Sequence, residues 1–225
     1  MTAISHHISD ETLQDYAAGT LNHELEVVIA CHLTLCPACR SRSAMAEAFG
    51  GAELSGCTPS PTTTSAADLL NRLDDAADSY STEPPESTKP VVSGDGINQV
   101  PMPLQRLLPT TLDKLEWKRL APGIKQHNLS DRHRKEGAFK LLNLSPGVVL
   151  SKHTHHDREL TLVLQGSYQD EIGRFKAGDI ADFGDDVMHQ PVVDTDKPCI
   201  ALIATMSPVR YSGMFGRIIQ PFVGI

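Results

Sequence analysis

The run Cys31-His32-Leu33-Thr34-Leu35-Cys36-Pro37-Ala38-Cys39 constrains this chain more tightly than any other stretch. His32 and Cys36 stand four apart, so on a helix they share a face, one turn removed. Cys36 and Cys39 form a Cys-x-x-Cys step, which brings two thiolates around one ion. Pro37 between them suits the first turn of a new helix. Three nitrogen and sulfur donors at this spacing read as most of a tetrahedral zinc site. A fourth donor is needed, and the pair His6-His7 lies just before the first expected helix; spacing alone does not choose between them. The alternative, buried free cysteines beside an unrelated histidine, is weaker because helix end, proline and spacing all agree.

The helices around this run follow from local pattern. Ser9-Asp10-Glu11 is a polar cap followed by acids at the positive end of a helix dipole, Leu13, Tyr16 and Ala17 give an apolar stripe, and Gly19 is the stop. A second helix is expected from Asn22 through His32, with Leu25, Val28, Ile29, His32, Leu33 and Cys36 on one stripe. A third is expected after Pro37, with Met45, Ala48 and Phe49 as its apolar face and Gly50-Gly51 as its stop. Fifty residues hold too small a core to stand alone, and a metal closing the loop from the first residues to Cys39 would supply what packing does not. Residues 55–65 are rich in Ser, Thr and Pro and read as a flexible connection. Residues 66–80 return to a helical pattern with Leu69, Leu70 and Leu73 on one face, which either docks back on the first helices or lies against a partner. A second linker is expected over 81–100.

Composition narrows the function. Residues 1–80 carry 11 Asp/Glu and 3 Lys/Arg, so the whole net charge of −8 sits in that third of the chain. An acidic module with only Arg40, Arg42 and Arg72 as cations does not neutralise phosphates, which disfavours nucleic acid and favours a basic protein partner. No run approaches the roughly 18 apolar residues of a membrane span, and the first residues lack the layout of a secretory signal. The five cysteines, Cys31, Cys36, Cys39, Cys57 and Cys199, then argue for a reducing compartment, the cytoplasm, and for metal binding over disulfides. Cys57 and Cys199 read as an incidental thiol and a buried filler rather than redox sensors.

From about residue 101 short β-rich runs alternate with Pro-Gly and Gly-Asp turns: 116–120, 139–144, 148–150, 159–165, 180–183, 191–193 and 199–206. That density of strands indicates a sandwich or small barrel. Within it Gly147, His153, His155, Glu159 and Gly166 form G-x5-H-x-H-x3-E-x6-G, and Gly178 and His189 follow eleven apart. On a strand His153 and His155 point to one face, Glu159 opens the next strand, and Gly166 permits a hairpin turn. Three imidazoles and a carboxylate from different strands make a site for a divalent transition metal with room for an exogenous ligand. His156 points the opposite way, to the surface.

These positions resemble the two cupin motifs. The first matches throughout. In the second, Gly178 and His189 fit while Gly184, Asp186 and Val193 depart from it. The His-x3-Cys-x2-Cys run with an upstream histidine resembles the zinc anti-sigma domain. The stretches 6–10, 16–21 and 159–166 resemble the ChrR-type zinc anti-sigma factors, which join both modules. The resemblance implies a multidomain α + β chain: a small zinc-binding helical bundle over 1–80, a linker over 81–100, and a cupin jelly-roll barrel over 101–225. It implies His7 as the fourth ligand beside His32, Cys36 and Cys39, and zinc also at His153, His155, Glu159 and His189. It further implies a cytoplasmic protein that sequesters an extracytoplasmic-function (ECF) sigma factor, one to one, and releases it on oxidative stress from singlet oxygen or organic hydroperoxides. The competing reading is a metal-dependent cupin enzyme, a dioxygenase or isomerase, with the helices as an assembly device.

Overall fold

The structure is a computed structural model that describes residues 3–61, 64–79, 100–130, 137–154, 157–184, 187–206 and 210–211. The linker expected over 81–100 falls outside these except for its last residue. Helix α1 spans Asp10–Ala17, capped by the Ser9 hydroxyl, which accepts from the Thr12 N–H at 3.1 Å. Gly19 leaves it at φ 65. Helix α2, His23–Leu35, is capped by Asn22 accepting from the Leu25 N–H. Cys36 closes α2 and opens α3, Pro37–Gly56, from an extended conformation. Pro37 dictates this, because the residue before a proline is pushed out of helical space.

One expectation about α3 needs correction. The helix runs through Gly50-Gly51 to Gly56, because neither glycine adopts positive φ and each costs only about 1 kcal/mol relative to alanine in a helix flanked by good helix formers. Its apolar face is not core: Met45 and Phe49 are each 70% exposed, and only Cys39 and Ser43 are buried. At 20 residues the helix outruns the 8 of α1 and the 13 of α2. Helix α4, Ala66–Ser79, starts in a reciprocal cap in which the Asp68 N–H donates to Ser65 Oγ and that hydroxyl donates to the Asp68 carboxylate. Its Leu69, Leu70 and Leu73 are exposed.

After the short helix α5, Met102–Gln105, the chain turns to strands: β1 Lys118–Ala121, β2 Ile124–Asn128, β3 Ala138–Leu144, β4 His153–Thr154, β5 Glu159–Gln165, β6 Ser167–Gln169, β7 Arg174–Lys176, β8 Ile180–Phe183, β9 Cys199–Thr205 and β10 Arg210–Tyr211. Six form an antiparallel sheet in the order β1-β2-β3-β9-β5-β8, and β6-β7 and β4-β10 are separate pairs. Among the described residues the strands do not close into one hydrogen-bonded barrel, but the arrangement is the expected cupin jelly roll behind an N-terminal helical region. The runs 148–150 and 191–193 pair as an isolated bridge, Val149 with Val192, rather than as strands. Pro191 has no N–H to extend the ladder.

The sheet is buried on both faces, and this brings the two halves of the chain together. On one face Phe139, Leu141, Leu160, Leu162, Leu202 and Ala204 pack in one cluster with Leu25, Val28, Ile29 and Cys31 of α2 and Leu104 of α5. On the other, Leu142, Val163, Ala201 and Ile203 meet Tyr168, Phe175, Phe183 and Val193. Strand alternation therefore points Leu160 toward α2 and Glu159 to the opposite, interior face.

Candidate metal centres

The α2–α3 junction gathers His7, His32, Cys36 and Cys39, with one donor atom from each within 4.8 Å of all the others. His32 Nε2 stands 3.3 Å from Cys39 Sγ, and His7 Nδ1 lies 3.3 Å from Cys36 Sγ and 3.5 Å from Cys39 Sγ. A tetrahedral zinc ion with bonds of about 2.0–2.3 Å sets its ligand atoms about 3.3–3.8 Å apart, so the donor set and its edges fit zinc. His6 turns away: its ring stacks on Phe175 with centroids 4.0 Å apart.

The surroundings suit such an ion. His32 Nδ1 lies 3.0 Å from the Gly178 carbonyl, which takes the ring's N–H and leaves Nε2 for the centre. Burial lowers the His32 pKa to about 4, which keeps the imidazole in the neutral form a ligand requires. Burial pushes the Cys39 thiol up to about 11, so ionising it calls for positive charge nearby. Cys36 Sγ sits at the start of α3, accepting from the Cys39 N–H, at the positive end of that helix's dipole. Arg42 approaches Cys39 Sγ at 4.0 Å while donating to the Ile8 carbonyl and pairing with Asp10.

The second group lies on the interior face. His153, Glu159 and His189 place their donor atoms within 4.8 Å of one another, and all three are buried. His155 and His156 lie outside the described residues. Strand geometry explains the approach: His153 and His189 bridge through mutual N–H to carbonyl bonds of 3.2 Å, and Glu159 opens β5. Each histidine has its Nδ1 occupied by an outer partner, the Ser151 carbonyl at 2.7 Å for His153 and Asp170 Oδ2 at 3.0 Å for His189. Such bonds orient the rings with Nε2 inward, as metal-ligating histidines are held. Thr161 Oγ1 donates to Glu159 at 3.1 Å. Burial opposes ionisation of Asp170, but bonds from His189 and from the Ile172 and Gly173 N–H groups outweigh it and hold its pKa below the usual range.

Asp170, which holds His189, and Asp179, which holds the Ser5 and His6 amides beside His7, shape these two groups, and the sequence motifs single out neither. Each acts on a residue brought near by topology, so no local spacing marks it.

Residues 106–207 match the family described as the ChrR Cupin-like domain. The chain is 34% identical over 223 residues to the anti-sigma-E factor ChrR of Cereibacter sphaeroides, covering 99% of both chains. It also resembles the crystal structure of Rhodobacter sphaeroides SigE in complex with the anti-sigma ChrR, with a TM-score of 0.71, 32% identity, and coverage of 90% of this chain and 99% of that one. This chain belongs to the ChrR family of anti-sigma factors.

Proposed function

We propose that this protein works in the cytoplasm, holding an ECF sigma factor one to one through its N-terminal helices, and that its cupin half takes part in releasing that factor under oxidative stress. The likeness to ChrR in its complex with SigE, which runs through both halves, carries this reading. Surface chemistry supports it. A groove of about 1030 Å³ between α1 and α3 is lined by Leu13, Ala17, Met45, Phe49 and Leu54, and α4 exposes three leucines nearby in sequence. Contiguous exposed apolar surface of this kind marks a protein-binding face. The net −8 of residues 1–80 suits a basic partner.

In this reading the chain divides into the sigma-binding part over 1–80, the linker over 81–100 and the cupin over 101–225. His7, His32, Cys36 and Cys39 hold one zinc ion. His153, His155, Glu159 and His189 hold a second divalent metal, zinc in the first instance. The first ion ties the N-terminal segment to the α2–α3 junction, a contribution on the order of 10 kcal/mol in comparable small sites. A metal held at His153, Glu159 and His189 would be the group that meets a small reactive species such as singlet oxygen or an organic hydroperoxide, or its product.

In vitro transcription with an ECF sigma factor encoded beside this gene tests the reading. The purified chain should inhibit it stoichiometrically. His153→Ala, His155→Ala and Glu159→Ala proteins of normal circular dichroism should still inhibit but respond poorly to the oxidant in cells. Failure to inhibit overturns the anti-sigma role, and a normal oxidant response in all three variants overturns the role given to the cupin.

A further inference from the structure

The segment that delivers His7 has no secondary structure of its own and is held by the turn before β8. Asp179, whose side chain is fully buried, accepts at Oδ1 from the Ser5 N–H at 2.7 Å and the His6 N–H at 3.1 Å. Its Oδ2 accepts from Ser5 Oγ at 3.1 Å and from the Lys176 N–H at 3.0 Å. Burial opposes ionisation of Asp179, yet these donors hold its pKa below the usual carboxylate range. The neighbouring Gly178 carbonyl is the one that receives His32. A single turn of the sheet domain thus touches two of the four donors: His32 directly, and His7 through the two amides that precede it.

We propose that Asp179, with the carbonyl of Gly178, is a positioning group of the His7/His32/Cys36/Cys39 centre, and that this turn sets how long metal stays there. The proposal rests on the reading that these four residues hold zinc. The physical reason is local concentration. Without the carboxylate, this segment, which has no secondary structure to hold it, frays, and His7 spends most of its time away from the two thiolates. Outer partners of metal ligands are worth about 10–100-fold in metal affinity. The same turn leads into β8, whose Phe183 pairs with Glu159, so it stands between the two groups.

The test uses the full-length protein, zinc-loaded for release to a chromophoric chelator and cobalt-substituted for spectroscopy. The thiolate-to-cobalt charge-transfer band reports only the cysteine-containing centre. Asp179→Ala should release that centre's metal about 10–100-fold faster and alter the cobalt spectrum, with release from the His153/Glu159/His189 group unchanged. Asp179→Asn, which keeps one oxygen for the Ser5 and His6 amides, should fall in between. Asp182→Asn is the control, since among the described residues the Asp182 carboxylate accepts only from the Ser9 N–H. Wild-type release and spectrum in Asp179→Ala, or equal acceleration in Asp182→Asn, overturns the proposal. Should Asp179→Ala fail to fold, Ser5→Pro removes the Ser5 N–H and hydroxyl donors to Asp179 and changes nothing within the sheet domain. It should release metal faster, and a wild-type rate overturns the proposal. A wild-type protein without the cobalt–thiolate band overturns the zinc reading itself.

Discussion

Arg158 of the sheet domain donates to Asp15 of α1 across 2.7 Å, from the position directly before Glu159. Its second nitrogen reaches Glu11 at 3.3 Å. The guanidinium is 19% exposed and Asp15 40%, whereas Glu11 is 83% exposed and contributes little. One charged link therefore joins the strand that carries Glu159 to a helix that walls the apolar groove. Partly exposed pairs are worth about 1 kcal/mol or less and are screened by salt. Arg158→Ala should lower stability by about that amount in low salt and by less in high salt, measured by urea unfolding. A double-mutant cycle with Asp15→Ala should return a coupling of about 0.5–1 kcal/mol, and a coupling of zero would mean the link carries no energy.

Gly178 should tolerate a side chain less well than Gly147. Its φ is +96, and an added Cβ would stand 3.0 Å from Ile4 Cγ1. Gly147 also has positive φ, at +77, but nothing lies within 4 Å of its would-be Cβ. Both alanine variants incur backbone strain of about 1–3 kcal/mol. Only Gly178→Ala also displaces Ile4. Denaturant unfolding should show a larger loss for Gly178→Ala, and hydrogen exchange should show faster exchange at the Ser5 and His6 amides in that variant alone. Equal behaviour of the two would mean that the Ile4 contact is unimportant.

The legible parts of this molecule were those whose partners are close in sequence. His32, Cys36 and Cys39 declare themselves through helical spacing and Pro37, and β5, β8 and β9 through apolar runs between turns. Strand β2 escaped notice because Lys125, Gln126, His127 and Asn128 carry none of the β-branched pattern, although they pair residue for residue with β3. The bond from His32 to Gly178 spans 146 positions and is fixed by the packing of α2 on the sheet, which no local signal encodes. Periodicity marked Met45 and Phe49 as one apolar face and left its cover open. An apolar stripe shows that a face needs cover without saying whether the same chain or another supplies it.

Cys199 and Cys57 should behave oppositely toward alkylating reagents. Cys199 is fully buried in β9, and burial pushes its pKa up to about 12, while Cys57 is exposed at the end of α3. At pH 8 a thiol of that pKa is thiolate in roughly one part in ten thousand, so Cys199 should label only on unfolding and Cys57 readily in the native state. The folded state holds the Cys199 proton more tightly than the unfolded state, so its contribution is intact below about pH 9 and declines as pH rises toward 12. Mass spectrometry after iodoacetamide, with and without denaturant, checks the first claim. Comparing alkaline unfolding of wild type and Cys199→Ala checks the second: the variant should lose less stability over that range.

Phe49 should matter to binding and hardly at all to folding. It is 70% exposed in the α1–α3 groove, beside Met45 and Leu54, which are 70% and 74% exposed. Substitutions at such positions usually change stability by no more than about 0.5 kcal/mol. Seated in a partner's pocket, however, an aromatic side chain is a typical hot spot worth about 2 kcal/mol or more, a loss of roughly thirtyfold in affinity when removed. A glutamate there adds desolvation of a charge and lies close to Glu47 and Asp10, so it suits a basic partner's rim but not its apolar core. Phe49→Glu should therefore weaken sigma-factor binding by thirtyfold or more with an unchanged melting temperature. Ile172→Glu, at a 48% exposed position between β6 and β7, should leave binding intact. Isothermal titration with the purified sigma factor decides it. Equal affinities for wild type and Phe49→Glu would remove this groove from the interface and leave the exposed leucines of α4 as the apolar face to test next.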